Sequence, residues 1–442
     1  MSGTRTSVLF LGADGYVLRA CERHDIDAVI LTPSGAYDDA RIDLPPGAIM
    51  LRVDEITNPE SCLAALYRAG LADRRYDAIQ TTWEYAVVTA AVLGQALGCR
   101  TIDFDTALHF RDKSLQKARL RAAGLPVART VVIEDLYDVS QVAMEFDRAV
   151  LKPVAGGGTT STSVVTGPAD LAAASRQARL DRATERTFIL EEFVDGDEWM
   201  AEGIAFGGEV IFFGLGAYTQ PCLDAVTGQV PISLRRLDPG TEPEAYQAAE
   251  PVVRGAIAAL GLRDSVFHME LFREQGTGRI VFSECAARRG GALTQEEVLA
   301  KFNVDLGEAA LLCAIGRRPE LDLKVDPDLI GCAALFGPAG TVFGYPTQAE
   351  MMEQPNVRFA RTWAQVGGQL GSKFAATAEM MAAMLLRTAS VDEFHRRVAE
   401  LRDWFSERLL VSEPGWTSGE RRAWQARHWP DRNYRDQLYT RA

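Results

Sequence analysis

Residues 267–291 read FHMELFREQGTGRIVFSECAARRGG. Two apolar runs, 267–272 and 280–286, flank a glycine-containing turn, the pattern of a β-hairpin. Side chains alternate along a strand, so His268 and Glu270 share one face, and Glu284 and Ala286 share one face of the return strand. Two carboxylates can then meet across the hairpin. Facing carboxylates repel unless a cation lies between them, and hard oxygen donors beside phosphates select Mg²⁺. The alternative partners are the arginines that follow, Arg288 and Arg289.

Working back toward the N-terminus, residues 148–162 read RAVLKPVAGGGTTST. A strand ending in Lys152 leads into Gly156, Gly157 and Gly158, then Thr159, Thr160 and Ser161. Glycines let backbone N–H groups converge on phosphate oxygens, and the hydroxyls and Lys152 add donors and charge. No Gly-Lys-Ser/Thr follows, which excludes a P-loop. Taken alone, the segment also fits a purely structural hairpin with a glycine turn.

Between these stretches, residues 189–199 read ILEEFVDGDEW. An extended segment with Glu191, Glu192, Phe193 and Val194 can present backbone groups to a base edge, with Glu198 free to accept from ribose hydroxyls. An acidic turn between strands has the same look.

Short strands alternate with helical patterns at the N-terminus (SVLFLG, DAVILTP, IMLRV, DAIQT), the rhythm of a parallel α/β sheet. Its first turn, Gly12 to Gly15, lacks the three-glycine dinucleotide fingerprint. A helix is expected from Asp112 as N-cap to Ala123, with Leu115, Ala118 and Ala122 on one face. The middle of the chain reads as antiparallel strands. After residue 335, ALFGPAGTVFGYP reads as strand-turn-strand, followed by two helical segments. The second has a capping box at Ser390 and Glu393 and apolar residues at Phe394, Val398, Leu401, Phe405 and Leu409. The run EMMAAMLL reads as a Met stripe at helical spacing, packed in a core.

At 442 residues the chain is long enough for several packed units, and a net charge of −13 opposes broad contact with nucleic acid or anionic lipid. Seven scattered cysteines without metal-ligand spacing fit reduced thiols in a cytoplasm. No run reaches about 18 consecutive apolar residues, so neither a membrane span nor a secretory leader is expected.

The order of these pieces resembles the ATP-grasp superfamily: Lys113, then Lys152 with its glycine loop, the acidic hinge, the paired carboxylates and an Arg-Arg-Gly-Gly turn. The resemblance implies a parallel α/β domain over 1–105 and an ATP-grasp domain over 106–335, with a lid at about 127–197. A closing domain over 336–413, similar to those of biotin-carboxylase-like and L-amino-acid-ligase-like members, and an extension over 414–442 complete the division. It also implies roles. Lys113, Lys152 and the loop Gly156 to Ser161 would hold the ATP phosphates. Glu191 and the backbone of Glu192 and Val194, with Phe193 between, would hold adenine, and Glu198 the ribose. Glu270 and Glu284 would ligate one or two Mg²⁺ ions, for which Mn²⁺ could substitute, and Arg288, Lys152 and His268 would be catalytic.

The expected activity is ADP-forming amide or peptide ligation through an acyl phosphate. Its substrates would be a small carboxylic acid and an amine, amino acids or peptide-like compounds, and the enzyme a cytoplasmic homodimer. A carboxylase or kinase with the same grasp, or an ATP-binding scaffold, are the alternatives. One departure stands out: the family's second strand reads Glu-x-Asn-x-Arg, and here the Asn position is Ala286. That puts the number of metal ions in question.

Overall fold

A computed structural model describes residues 5–33, 44–223, 232–371, 380–412 and 419. The first unit is a four-stranded parallel sheet in the order Ile49–Val53, Asp27–Pro33, Ser7–Leu11, Ala78–Thr81. Apolar residues on alternate faces of Ser7–Leu11 enter two cores, Leu9 and Leu11 on one side, Val8 and Phe10 on the other. The turn after this strand serves packing. Gly12 has φ of +67°, and a Cβ there would lie 2.8 Å from the Trp83 indole, while Asp14 caps the helix Gly15–Arg23 by accepting from the Tyr16 and Val17 amides.

A second, antiparallel sheet has the order Thr130–Ile133, Phe188–Glu192, Ala149–Pro153, Ser163–Val165 and is backed by the helix Pro168–Leu180. Leu151, Phe188, Leu190 and Leu171 form its core. Alternation sends Ile189 and Glu191 to the opposite face from Phe188 and Leu190.

The largest sheet has eight strands. Its order is Ile280–Ala286, Ser265–Glu274, Gly196–Phe206, Glu209–Tyr218, Ser233–Arg236, Leu329–Leu335, Ala382–Thr388, Val357–Thr362. It carries strands from both sides of residue 335. One face packs on the helix Pro243–Leu260 through Phe267, Met269, Leu271 and Phe282. The other face packs in part, through Ile204, Phe212 and Val266, on the helices Thr294–Phe302 and Leu306–Ala314, and the rest borders a cleft under the smaller antiparallel sheet. The mixed α/β and α+β architecture is the one expected.

The stretch ALFGPAGTVFGYP is strand-turn-strand as expected, with its strands in different sheets: Leu329–Leu335 belongs to the large sheet, whereas Gly340–Gly344 pairs with Gln369–Leu370 and Leu410–Ser412. Two local expectations need correction. The Met-rich run is a strand, Ala382–Thr388, and not a helix. Met381, Met384 and Leu386 are core residues as expected, but a strand covered on both faces reads as an unbroken apolar run, which periodicity cannot tell from a helix. The helix Val391–Arg408 does start at Ser390, yet Glu393 accepts from the Ala389 amide rather than closing the box on Ser390. The box is closed instead at Thr347 and Glu350. Residues 414–418 and 420–442 of the C-terminal extension lie outside the described residues.

Candidate active site

The helix Lys113–Ala122 starts at Asp112, whose carboxylate accepts from the Ser114 and Leu115 amides at 2.8 and 3.1 Å. Its buried face carries Lys113, Gln116, Lys117 and Leu120, and Leu115 is 40% exposed. Leu115, Ala118 and Ala122 do share one face, but it is the exposed one: this helix turns its lysines inward, toward carboxylates. Gln116 holds the register, its side chain donating to the Cys285 carbonyl at 2.6 Å and accepting from the Cys285 amide at 3.0 Å.

Three lysines and two carboxylates interlock. Glu191 Oε2 lies 3.0 Å from both Lys117 Nζ and Lys152 Nζ. Glu284 Oε2 is 3.2 Å from Lys113 Nζ and 3.9 Å from Lys152 Nζ. Lys117 also donates to the Ser283 carbonyl at 2.7 Å, and Lys113 to the Gly156 carbonyl at 2.9 Å. Burial alone would lower the Lys152 pKa, but Glu191 and Glu284 outweigh it and the net shift is upward. For Glu284 burial pushes up while Lys113 and Lys152 pull harder, down to about 2. Lys117 goes the other way: burial dominates, with Lys152 adding to it against the pull of Glu191, and its pKa falls to about 8.

Glu270 and Glu284 are directly opposite in the hairpin, as are His268 and Ala286. The arginines do not neutralise them. Arg288 pairs with Glu84, which also takes Arg111 at 3.3 Å, and Arg289 pairs with Asp14 at 2.7 Å. His268 Nδ1 contacts Glu202, whose other oxygen accepts from the Gly290 amide at 2.9 Å, and its Nε2 is 3.7 Å from Glu270. Burial disfavours the imidazolium, yet Glu202 and Glu270 raise its pKa to about 10. Glu198 accepts from the Cys222 amide at 2.7 Å; burial first, then Glu270, raises its pKa to about 8.

These groups surround a cleft of about 520 Å³ between the two antiparallel sheets. Gly156 to Thr160 border it, whereas Ser161 is exposed and outside its wall. Arg111 reaches the Ala155 carbonyl and stacks 4.6 Å above the Tyr85 ring, which ties the loop to the N-terminal unit. At the hinge, Glu192 to Gly196 line the cleft. The Glu192 side chain pairs with Arg129 at 2.8 Å, and the Glu192 and Phe193 amides donate to the Arg129 and Arg148 carbonyls. The Glu191 carboxylate is occupied by the lysines.

Sequence reading passed over Lys117, Glu202, Glu84 and Arg111. Two had a local signal. Lys117 is four residues after Lys113 on one helix face, and Glu202 shares a strand face with Glu198. Glu84 and Arg111 come from separate elements and had none.

Among the described residues, no three His, Cys, Asp or Glu side chains converge tightly enough to hold a metal unaided. The donor set is two opposed carboxylates, and it fits Mg²⁺, which takes one or two protein carboxylates and completes its shell with phosphate oxygens and water.

No protein-family profile matches the chain. The sequence is 24% identical over 295 residues to the L-arginine-specific L-amino acid ligase of Bacillus subtilis, covering 66% of this chain and 69% of that one. It is 30% identical over 136 residues to human carnosine synthase 1, which is 31% of this chain and only 16% of that protein. Among solved structures, an L-amino acid ligase from Bacillus licheniformis superposes with a TM-score of 0.76 at 18% identity, covering 93% of this chain and 100% of that one. A carboxyaminoimidazole ribonucleotide synthase from Aspergillus clavatus, complexed with ATP, gives 0.68 at 15% identity, covering 91% and 99%. The biotin carboxylase domain dimer of Hydrogenobacter thermophilus 2-oxoglutarate carboxylase, with MgADP, ADP and bicarbonate, gives 0.65 at 16% identity, covering 93% and 91%. In its fold, and in sequence over 66% of its length, this chain resembles the ATP-grasp ligases.

Proposed function

We propose that the chain is an ATP-dependent carboxylate–amine ligase that joins amino acids or related small compounds through an acyl phosphate, releasing ADP and phosphate. One observation carries the reading: Lys113 and Lys152 flank Glu284, which stands opposite Glu270, at the floor of a single cleft, with Lys117 buried beneath on Glu191. Cation and anion are thus arranged where a polyphosphate and its metal would need both. The similarity to an L-amino acid ligase supports amino acids as substrates.

In this reading Lys113 and Lys152 exchange their carboxylate partners for phosphate oxygens, and Lys117 stays beneath to hold Glu191. The loop from Gly156 caps the triphosphate and excludes water, which an acyl phosphate requires. Residues Glu191 to Val194 flank the base and Glu198 the ribose. Glu270 and Glu284 would hold Mg²⁺, which neutralises phosphate charge when bound. Arg288 offers a planar fork to the transferred phosphoryl group, and His268, kept protonated by Glu202, adds a fixed positive charge beside Glu270. The substrate carboxylate oxygen attacks the γ-phosphorus as ADP leaves. The amine then adds to the acyl carbon, phosphate departs with that oxygen, and the amine gives up a proton. Residues 1–105 would support the site, 106–335 hold the nucleotide and 336–413 close it, in a cytoplasmic homodimer.

The test is an assay of purified protein with ATP, Mg²⁺ and pairs of amino acids. ADP and phosphate should appear in equal amounts and only when acid and amine are both present. ¹⁸O from the labelled carboxylate should enter the released phosphate, and hydroxylamine should yield a hydroxamate. AMP with pyrophosphate would overturn the mechanism. A stable phosphorylated product without free phosphate would identify a kinase, and ATP binding without turnover a scaffold. A mass near 48 kDa by light scattering, that of one 48.3 kDa chain, would rule out the dimer.

A further inference from the structure

The floor of the cleft continues well past the charged groups. Glu284 stands opposite Glu270, Glu270 opposite Met200, Met200 opposite Gly216, and Gly216 opposite Arg236; Leu234 on that same strand is opposite Cys332. Five inter-strand steps at about 4.8 Å make roughly 24 Å of floor. The chemistry changes along it. The near end holds the lysines and carboxylates, whereas the far end is bordered by Leu234, Leu293, Ala334, Phe336, Trp363 and Met380. Trp363 is 40% exposed there, a large aromatic surface facing the open cleft.

The ionised groups at this end answer each other. Arg236 and Glu297 form an ion pair with side-chain exposures of 0 and 1%. Their charges cancel, and a charged substrate group entering here would lose its hydration without a net counter-charge. Two polar atoms are left over, one of each charge: Glu297 Oε1 and Arg236 Nη1 are buried without a hydrogen-bond partner. An apolar side chain, by contrast, would gain by covering the aromatic and aliphatic wall.

We propose that the far end of the cleft is a subsite for a large apolar side chain, aromatic or branched aliphatic, of an amino-acid substrate. This rests on the ligase reading given above. The main chain of such a substrate would point back toward Arg288 and the near end, and its side chain would lie against Trp363 and Phe336.

Calorimetric titration with L-phenylalanine, L-leucine, L-glutamate and L-lysine, in the presence of Mg²⁺ and a non-hydrolysable ATP analogue, tests the subsite directly. Phenylalanine and leucine should bind at least about tenfold more tightly than glutamate or lysine, the scale set by burying one apolar side chain. Trp363→Ala should weaken phenylalanine binding about tenfold and alanine binding far less. Trp363 is half out of the packed structure, so that variant should keep its Tm; Ala334→Leu, which fills the floor, is the second variant and should exclude phenylalanine selectively. Equal or tighter binding of lysine or glutamate overturns the subsite, with tight lysine binding pointing to Glu297 Oε1. Absence of binding by all four amino acids overturns it as well. The ADP and phosphate assay separates the two readings: release with charged amino acids alone keeps the ligase and removes the subsite, and no release with any pair removes the ligase.

Discussion

Lys117 Nζ lies 3.0 Å from Glu191 Oε2, and the same oxygen is 3.0 Å from Lys152 Nζ, so that one wholly buried lysine shares its counter-ion with a lysine that borders the cleft. With two lysines on it, Glu191 draws less strongly on Lys152 than it would alone. Lys152 is accordingly available for an anion arriving from the cleft.

Removing the deep partner should therefore affect both stability and activity. Lys117→Met leaves Glu191 with Lys152 only, so the loss should be no more than about 3 kcal/mol, the lower end for a broken buried pair. Urea denaturation measures it. The apparent KM for ATP should rise about tenfold, because Lys152 is now held back by Glu191 with about 1.4 kcal/mol more attraction. Unchanged ATP kinetics would mean that Lys117 only fills space.

Lys152→Ala and Glu284→Gln should each reduce turnover by at least about a hundredfold, the usual cost of deleting a group that faces developing charge. Both side chains border the cleft rather than the apolar core, so circular dichroism should be that of the parent. Full activity in both variants would displace the site; collapse of the fold would make the pairs structural.

The His268–Glu202 contact predicts an alkaline dependence of stability. The folded imidazole keeps its proton to about pH 10, whereas an unperturbed one loses it near 6.5. Between these values the folded state binds more protons, so the stabilisation is whole below pH 6.5 and is lost as pH rises toward 10. Denaturation midpoints measured from pH 6 to 10 should fall in the parent and stay flatter in His268→Gln. Parallel curves would remove His268 as the cause.

Ala286 stands opposite His268, on the face that carries Glu284, and it borders the cleft. An asparagine there would offer one more oxygen to a cation. Ala286→Asn should lower the Mg²⁺ concentration that gives half-maximal rate by about threefold to tenfold, within the range for one neutral oxygen donor at an aqueous site. An unmoved titration curve would mean that water or another group already fills that position.

The sequence by itself determined the features that depend on local periodicity and spacing. Strand alternation put Glu270 and Glu284 on facing positions, the Lys152 strand ran into the glycine loop, and the opening residues set a parallel sheet, because the two-residue period of a strand is written directly in the chain. It could not say which way the helix after Asp112 would face. Lys113 and Lys117 turn inward because Glu191 and Glu284 arrive from residues that are distant in sequence, and only tertiary structure brings that compensating charge. The same holds for Arg288: its partner is Glu84, supplied by another unit, and not a carboxylate of its own hairpin. The Met-rich strand was misread for a related reason, since burial on both faces erases the alternation that marks a strand. Short-range pattern thus picked out Lys152, Glu270 and Glu284, and long-range charge pairing decided which groups they meet.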